Sequence, residues 1–162
     1  MYNLPKQEEE SGLSEFREGS KVFRLHPDAL KAWRRMKAHA RMDGIDLELV
    51  SAFRSIERQQ EIIDRKLERG ESLDQIYSVN APAGHSEHHT GRAIDLGTPG
   101  YPVLEQEFDQ SDAFAWLERN GMQFGFRMSY PRNNRYGIAY EPWHWFYIGD
   151  RAQQVGGGDA PR

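Results

Sequence analysis

Two segments of this 162-residue chain concentrate side chains able to do chemistry. The first runs Ser86-Glu87-His88-His89-Thr90-Gly91-Arg92-Ala93-Ile94-Asp95, and the second is Glu141-Pro142-Trp143-His144. Together they offer imidazoles, carboxylates and a glycine at which the chain can turn. That is the inventory of a catalytic zinc site: three protein ligands, one open position for water, and a further carboxylate to carry protons. Such a set implies a metal-dependent hydrolase.

Each residue has a plainer reading beside the chemical one. In a strand over Arg92–Leu96, Ile94 and Leu96 face a core while Asp95 faces the other way. An acid so flanked is costly unless paired or bound to metal, and an ordinary salt bridge answers that need as well as a metal does. Glu141 stands three residues before His144, with Pro142 stiffening the turn between them. The pair fits a metal-bound imidazole with a carboxylate beside it. It equally fits an exposed acid followed by a core histidine among Trp143, Trp145 and Phe146. In extended chain His88 and His89 point to opposite sides, so at most one of them ligates. His26 and His39 lie in or near a helix and read as ordinary helix-end or surface residues. No H-E-x-x-H segment exists, which excludes a helix-borne zinc site of that kind. The chain has no cysteine, so thiolate ligation and disulfides are both excluded, and a His/carboxylate donor set favours catalytic over structural zinc.

The elements that must carry these residues are legible in outline. His26-Pro27-Asp28 starts a helix with Leu30, Trp33, Met36 and Ala40 at helical spacing and Gly44 as its stop. Leu47–Phe53 reads as a strand. Ile56–Arg69 is a second helix ended by Gly70, and Ser72 with Gln75 forms a capping box for a short third. Ser111 or Asp109 caps a helix bearing Phe114, Trp116 and Leu117, closed by Gly121. Met122–Met128 and His144–Ile148 read as strands. Helices come early, strands late, and no βαβ repeat appears. The expected fold is α+β: a small single domain with a mainly antiparallel sheet flanked by helices. Residues 1–20 are expected to be a flexible N-terminal arm, 21–150 the folded domain, and 151–162 a flexible tail of linker composition.

Composition narrows the functional classes. Charged residues make up 28% and hydrophobic ones 38%, and 21 basic against 25 acidic residues leave a formal charge of −4. No basic excess exists to neutralise phosphates, so a nucleic-acid partner is not expected. No run approaches the ~20 apolar residues of a membrane span, and the N-terminus as written has no apolar segment of a secretory signal.

The pattern S-x-H-x-x-G-x-A-x-D followed by E-x-x-W-H resembles the zinc D-Ala-D-Ala carboxypeptidase family, which includes vancomycin-resistance D,D-carboxypeptidases and related L,D-carboxypeptidases. Ser86, His88, Gly91, Ala93, Asp95, Glu141, Trp143 and His144 all stand at the matching positions. Ala52-Phe53-Arg54-Ser55, Phe124-Gly125-Phe126 and Tyr130-Pro131 extend the likeness over roughly residues 25 to 149. The resemblance implies a hedgehog/DD-peptidase-like domain holding one Zn2+ on His88, Asp95 and His144. It implies Glu141 as general base and acid, Arg54 as the cation that steadies substrate or oxyanion, and Ser86, Gln59 and Tyr130 as substrate-binding residues.

The reaction so implied is removal of the terminal D-Ala from peptidoglycan stem peptides, in the cell envelope or periplasm; the N-terminus as written leaves a cytoplasmic location open, and a monomer is expected. An L,D-carboxypeptidase or a peptidoglycan endopeptidase would use the same zinc site. A non-catalytic wall-peptide-binding module would need a broken catalytic set, and here the set is intact. A purely structural zinc would need a fourth protein ligand, for which His85 or His89 is the available group. The chain departs from the pattern at Ser129, where many relatives carry Arg before the Tyr-Pro pair, with Arg127 two residues earlier on the same strand face.

Overall fold

The computed structural model describes residues 3–149. A hairpin of β1 (Ser14–Glu18) and β2 (Lys21–Leu25) leads into helix α1 (Pro27–Met42). His26 caps that helix by accepting from Asp28 N, which satisfies a donor the first turn leaves orphaned. Strand β3 (Glu48–Ser51), helix α2 (Ile56–Glu68) and helix α3 (Leu73–Val79) follow. Ser55 caps α2, and Ser72 with Gln75 forms the expected capping box on α3. Then come a 3-10 turn (Glu87–Thr90), strand β4 (Ala93–Gly97), helix α4 (Asp112–Asn120) capped by Ser111, and strands β5 (Phe126–Met128) and β6 (His144–Tyr147).

Strands β3, β4, β6 and β5 form an antiparallel sheet in that spatial order. One face packs on α1 and α4, where Ile94, Leu96, Phe126 and Trp145 join Trp33, Met36, Phe114 and Leu117 in a continuous core. The hairpin shares that core through Phe16 and Leu25, and Glu18 of β1 accepts from Trp33 Nε1 (2.7 Å) and Lys37 Nζ (3.2 Å) of α1. Among the described residues, no helix is long and apolar enough to cross a membrane.

Three expectations need correction. Residues 14–18, read as part of a flexible arm, form β1 instead. Their Ser-Glu-Phe-Arg-Glu alternation buries Phe16 and pairs in full with β2, a half-buried edge pattern that a glance at polarity misses. The segment before it is also tied down: Gln7 N donates to Gly84 O (2.7 Å), Glu10 N to His89 O (2.9 Å), and the Glu9 carboxylate accepts from Ile56 N at the start of α2 (2.7 Å). The strand read over 122–128 exists only at Phe126–Met128. Gly121 adopts a right-handed helical conformation and continues into a 3-10 turn through Phe124, so Gly125, with φ +85, makes the break that Gly121 was expected to make. The tail 151–162 lies outside the described residues.

Gly91 links the 3-10 turn to β4 at φ +68, the left-handed region that favours glycine. A Cβ there would sit 2.6 Å from Leu13 Cδ2 and 2.9 Å from the backbone nitrogen of His26. Both strain and a backbone clash oppose any side chain, so Gly91→Ala is expected to destabilise the fold by about 2–4 kcal/mol. Urea unfolding checks this, as a lowered midpoint at unchanged slope. An unshifted midpoint would mean that the hairpin and turn separate freely.

Candidate functional site

The sheet itself brings two of the predicted residues together. Asp95 of β4 lies directly opposite His144 of β6, and directly paired residues of antiparallel strands project on the same face. Their neighbours Ile94 and Trp145 project on the opposite face into the core. Asp95 therefore sits in a buried strand for the reason the pattern suggested, and it is not spent on an ordinary salt bridge with Lys or Arg.

His88 arrives from outside the sheet, on the 3-10 turn capped by the Ser86 hydroxyl, which accepts from His88 N (3.2 Å). Its Nδ1 donates to Ala52 O (2.7 Å), so its Nε2 is the nitrogen left to face Asp95 Oδ2, 3.2 Å away. His144 uses the other nitrogen: Nδ1 lies 3.2 Å from Asp95 Oδ1 and 3.7 Å from Glu141 Oε2. Its Nε2 faces Glu87 Oε1 at 3.5 Å, in an ion-pair contact. His88, Asp95 and His144 are all buried, and one donor atom from each lies within 4.8 Å of the others. Asp95 Oδ1, which faces His144 Nδ1, has no hydrogen-bond partner despite burial. Buried polar atoms are rarely left so. A carboxylate and two imidazole nitrogens converging in this way fit a metal ion, and imidazole nitrogen with carboxylate oxygen suits zinc.

The charges around the cluster reinforce that fit. Burial works against the Asp95 carboxylate, yet His88 and His144 outweigh it and hold its pKa well below the usual range. Burial likewise disfavours an imidazolium at His144, but Asp95 and Glu87 prevail and push it up to about 10. Carboxylates converging on one imidazole demand a cation among them. Burial pushes Glu141 up to about 7; the Asp95 and Glu87 charges add to that and His144 and Arg54 oppose it. Glu141 is thus a carboxyl group poised to exchange a proton near neutral pH.

All eight predicted site residues line one cavity of 590 Å3. Arg54, the only arginine lining it among the described residues, is half-buried in the segment that follows β3, and desolvation lowers its pKa against the nearby charges of Asp95 and Glu141. Gln59 is buried on the same wall: Oε1 accepts from Arg54 Nη1 (2.9 Å) and Nε2 donates to Ala81 O (2.7 Å), which helps to orient Arg54. Tyr130 packs its ring on His144, with centroids 4.7 Å apart, and its hydroxyl bonds Glu87. The expectation that His88 and His89 diverge holds, though the backbone is a 3-10 turn and not a strand. His89 is a latch: Nδ1 donates to Arg54 O (2.7 Å) and Nε2 accepts from Gly84 N (3.2 Å). His85 Nδ1 meets Leu4 O at 3.0 Å. Neither joins the cluster. Glu87 is the residue that reading the sequence missed. Its place between Ser86 and His88 marks it as adjacent to the site, but nothing local says that it turns inward to reach a histidine 57 positions later.

Comparison with known proteins agrees with this geometry. Residues 22–150 match the family model described as VanY: D-alanyl-D-alanine carboxypeptidase. The chain is 32% identical to YodJ of Bacillus subtilis over 164 residues, 96% of this chain and 60% of that protein. It is 32% identical to a D-alanyl-D-alanine carboxypeptidase of Enterococcus faecalis over 123 residues, 70% of this chain and 44% of that one. The chain therefore spans about half the length of these relatives. Among solved structures, the LdcB LD-carboxypeptidase superposes with a TM-score of 0.81 at 30% identity, covering 93% of this chain and 74% of that one. A vancomycin-resistance D,D-pentapeptidase in complex with Zn(II) gives 0.68 at 28% identity, covering 88% and 83%. VanYB in complex with D-alanine-D-alanine gives 0.71 at 27% identity, covering 95% and 86%.

The convergence of the three donors predicts one zinc or cobalt ion per chain by elemental analysis after dialysis. Asp95→Ala is expected to weaken binding by more than the about 10–100-fold that an outer-shell change costs. Full stoichiometric binding by that variant at the same free-metal concentration would place the ion elsewhere.

Proposed function

The chain belongs to the VanY family of D-alanyl-D-alanine carboxypeptidases, and from that premise we propose that it removes a terminal D-alanine from peptidoglycan stem peptides. The observation that carries this reading is a cavity in which a cation, Arg54, and a proton-exchanging carboxyl group, Glu141, flank the three-donor cluster. A substrate with a free C-terminal carboxylate needs such a cation one residue beyond the bond to be cut. All eight site residues come from the described part of one chain, which supports action as a monomer, and a cell-wall substrate supports action in the envelope.

His88, Asp95 and His144 would hold a zinc ion, which would supply a Lewis acid to acidify water and polarise the scissile carbonyl. The remaining work falls to the protein. Arg54, held by Gln59, fixes the substrate carboxylate and so the position of the peptide bond. Glu141, beside the cluster, accepts a proton from the attacking water as the C–O bond forms. When the C–N bond breaks, Glu141 returns that proton to the departing D-alanine nitrogen. Ser86, on the cavity wall beside His88, contacts the substrate near its C-terminal end.

The higher TM-score to an LD-carboxypeptidase supports a second reading, cleavage of a tetrapeptide between the diamino acid and D-alanine. Mass spectrometry of muramyl tetrapeptide and pentapeptide after incubation with the zinc-loaded protein separates the two. Chelator-sensitive loss of one alanine from the pentapeptide alone is the D,D outcome, and loss from the tetrapeptide alone is the L,D outcome. Intact peptides in both would sink the carboxypeptidase reading.

Two variants test the roles. Glu141→Gln should keep its metal and lose about 10²–10⁴-fold in kcat; near-normal turnover would remove Glu141 from the mechanism. Arg54→Lys should lower kcat/KM about 10–100-fold, chiefly through KM, because an ammonium cannot grip a carboxylate with two parallel hydrogen bonds. An unchanged KM would assign the substrate carboxylate to another group.

A further inference from the structure

The structure gives Glu87 a position that the reaction as described does not use. Its carboxylate is buried, at 8% exposure, although carboxylates are seldom buried unless paired. One oxygen, Oε2, accepts from Ser129 Oγ at 3.1 Å, and the Tyr130 hydroxyl also bonds the carboxylate. The other, Oε1, faces His144 Nε2 at 3.5 Å. Among the described residues, His144 is the one ion-pair partner that Glu87 has. Ser129, a neutral residue, stands where the resembling pattern often carries arginine, so no guanidinium from that position draws the carboxylate away.

We infer that Glu87 is a positioning residue that holds the His144 ring in the tautomer protonated at Nε2, leaving the Nδ1 lone pair to face the metal cluster. This rests on the reading of His144 as a ligand. The two histidines of the cluster present opposite nitrogens, and each needs an acceptor on its far side to fix which nitrogen keeps the proton. For His88 that acceptor is the Ala52 carbonyl, which takes Nδ1–H. For His144 the group at the far nitrogen is Glu87 Oε1. Tyr130 braces both members of the pair, with its ring against His144 and its hydroxyl on Glu87. Ser129 fixes the carboxylate from the other side, so Oε1 remains turned to the imidazole.

The test compares Glu87→Ala, Glu87→Gln and His144→Ala in the full chain. Zinc affinity is read by chelator competition, and ligand geometry by the visible absorption of the Co2+-loaded protein. Glu87→Ala removes the acceptor and is expected to weaken zinc binding about 10–100-fold, to shift the Co2+ spectrum, and to leave KM at saturating zinc within about twofold of wild type. Glu87→Gln keeps an oxygen that can accept from Nε2–H, with its amide nitrogen donating to Ser129, and is expected to recover most of the affinity. Wild-type affinity in Glu87→Ala overturns the inference. So does an equal loss in both Glu87 variants, because then the accepting oxygen is not what matters. Undiminished affinity in His144→Ala is a different failure, since it removes His144 from the ligand set whatever Glu87 does.

Discussion

The site depends on the register of two strands. Asp95 and His144 face each other because β4 and β6 pair as Ala93 with Phe146, Ile94 with Trp145, and Asp95 with His144. Side chains alternate with a period of two, so a slip by one residue would turn the acid toward the core and an isoleucine toward the cavity. What fixes the register is the other face. Ile94 is fully buried and Trp145 nearly so, against a core built by α1 and α4. Backbone bonds from Leu96 N to Trp143 O (2.9 Å) and from Tyr147 N to Arg92 O (2.8 Å) extend the pairing past both ends of the ladder. Burial on one side of the sheet thus selects the chemistry on the other.

The remaining groups come from backbone that the sheet does not hold, and each is tied in separately. The turn bearing His88 is joined to the end of β3 by Arg54 N donating to His88 O (3.1 Å) and by the His89 ring on Arg54 O. The same few atoms therefore place a metal-facing imidazole and the cation of the cavity in one unit. The N-terminal segment closes over that unit through Gly84, His85 and His89, and through the start of α2. The cost of gathering Glu87, Asp95 and Glu141 in one buried region is electrostatic. Removing several carboxylates from water is expensive unless cations share the space. Arg54 offsets part of that charge, and a divalent ion at the cluster would offset the rest.

Legibility in the sequence followed the range of the interactions involved. The start of α1, the capping box on α3 and the Ser111 cap on α4 were readable because such signals span only two or three residues. The cluster was readable because its donors stand in two short segments whose spacing matches a known pattern. Roles that depend on long-range packing were less visible. Gln59 was read as a substrate contact, and its amide also bonds Arg54 and a carbonyl 22 residues away, which the sequence does not show. Tyr130 was placed at the substrate, and its ring and hydroxyl also support His144 and Glu87. The first strand was hidden in a polar arm because only Phe16 signals its buried face, and its partner is needed to see it.

The cavity has two walls of different physical origin. The groups of the cluster rest on the sheet or are bolted to it, and their positions follow from core packing. The opposite wall is made by loops, Leu104–Glu107 after β4 and Ile138–Tyr140 before β6. These are joined by polar ties. Gln106 Nε2 donates to Tyr140 O at 3.4 Å, and Asp109 accepts from both the Tyr140 hydroxyl (3.2 Å) and Arg132 (3.1 Å). Leu104 sits on this wall at φ +57, a conformation that costs a side-chain-bearing residue about 1–2 kcal/mol. That residue is also largely exposed, so no core contact offsets the strain. Strain of this kind persists where surrounding structure imposes it, and it gathers at binding sites. A wall held by exposed hydrogen bonds can change in sequence without disturbing the strand register, whereas the donor set cannot.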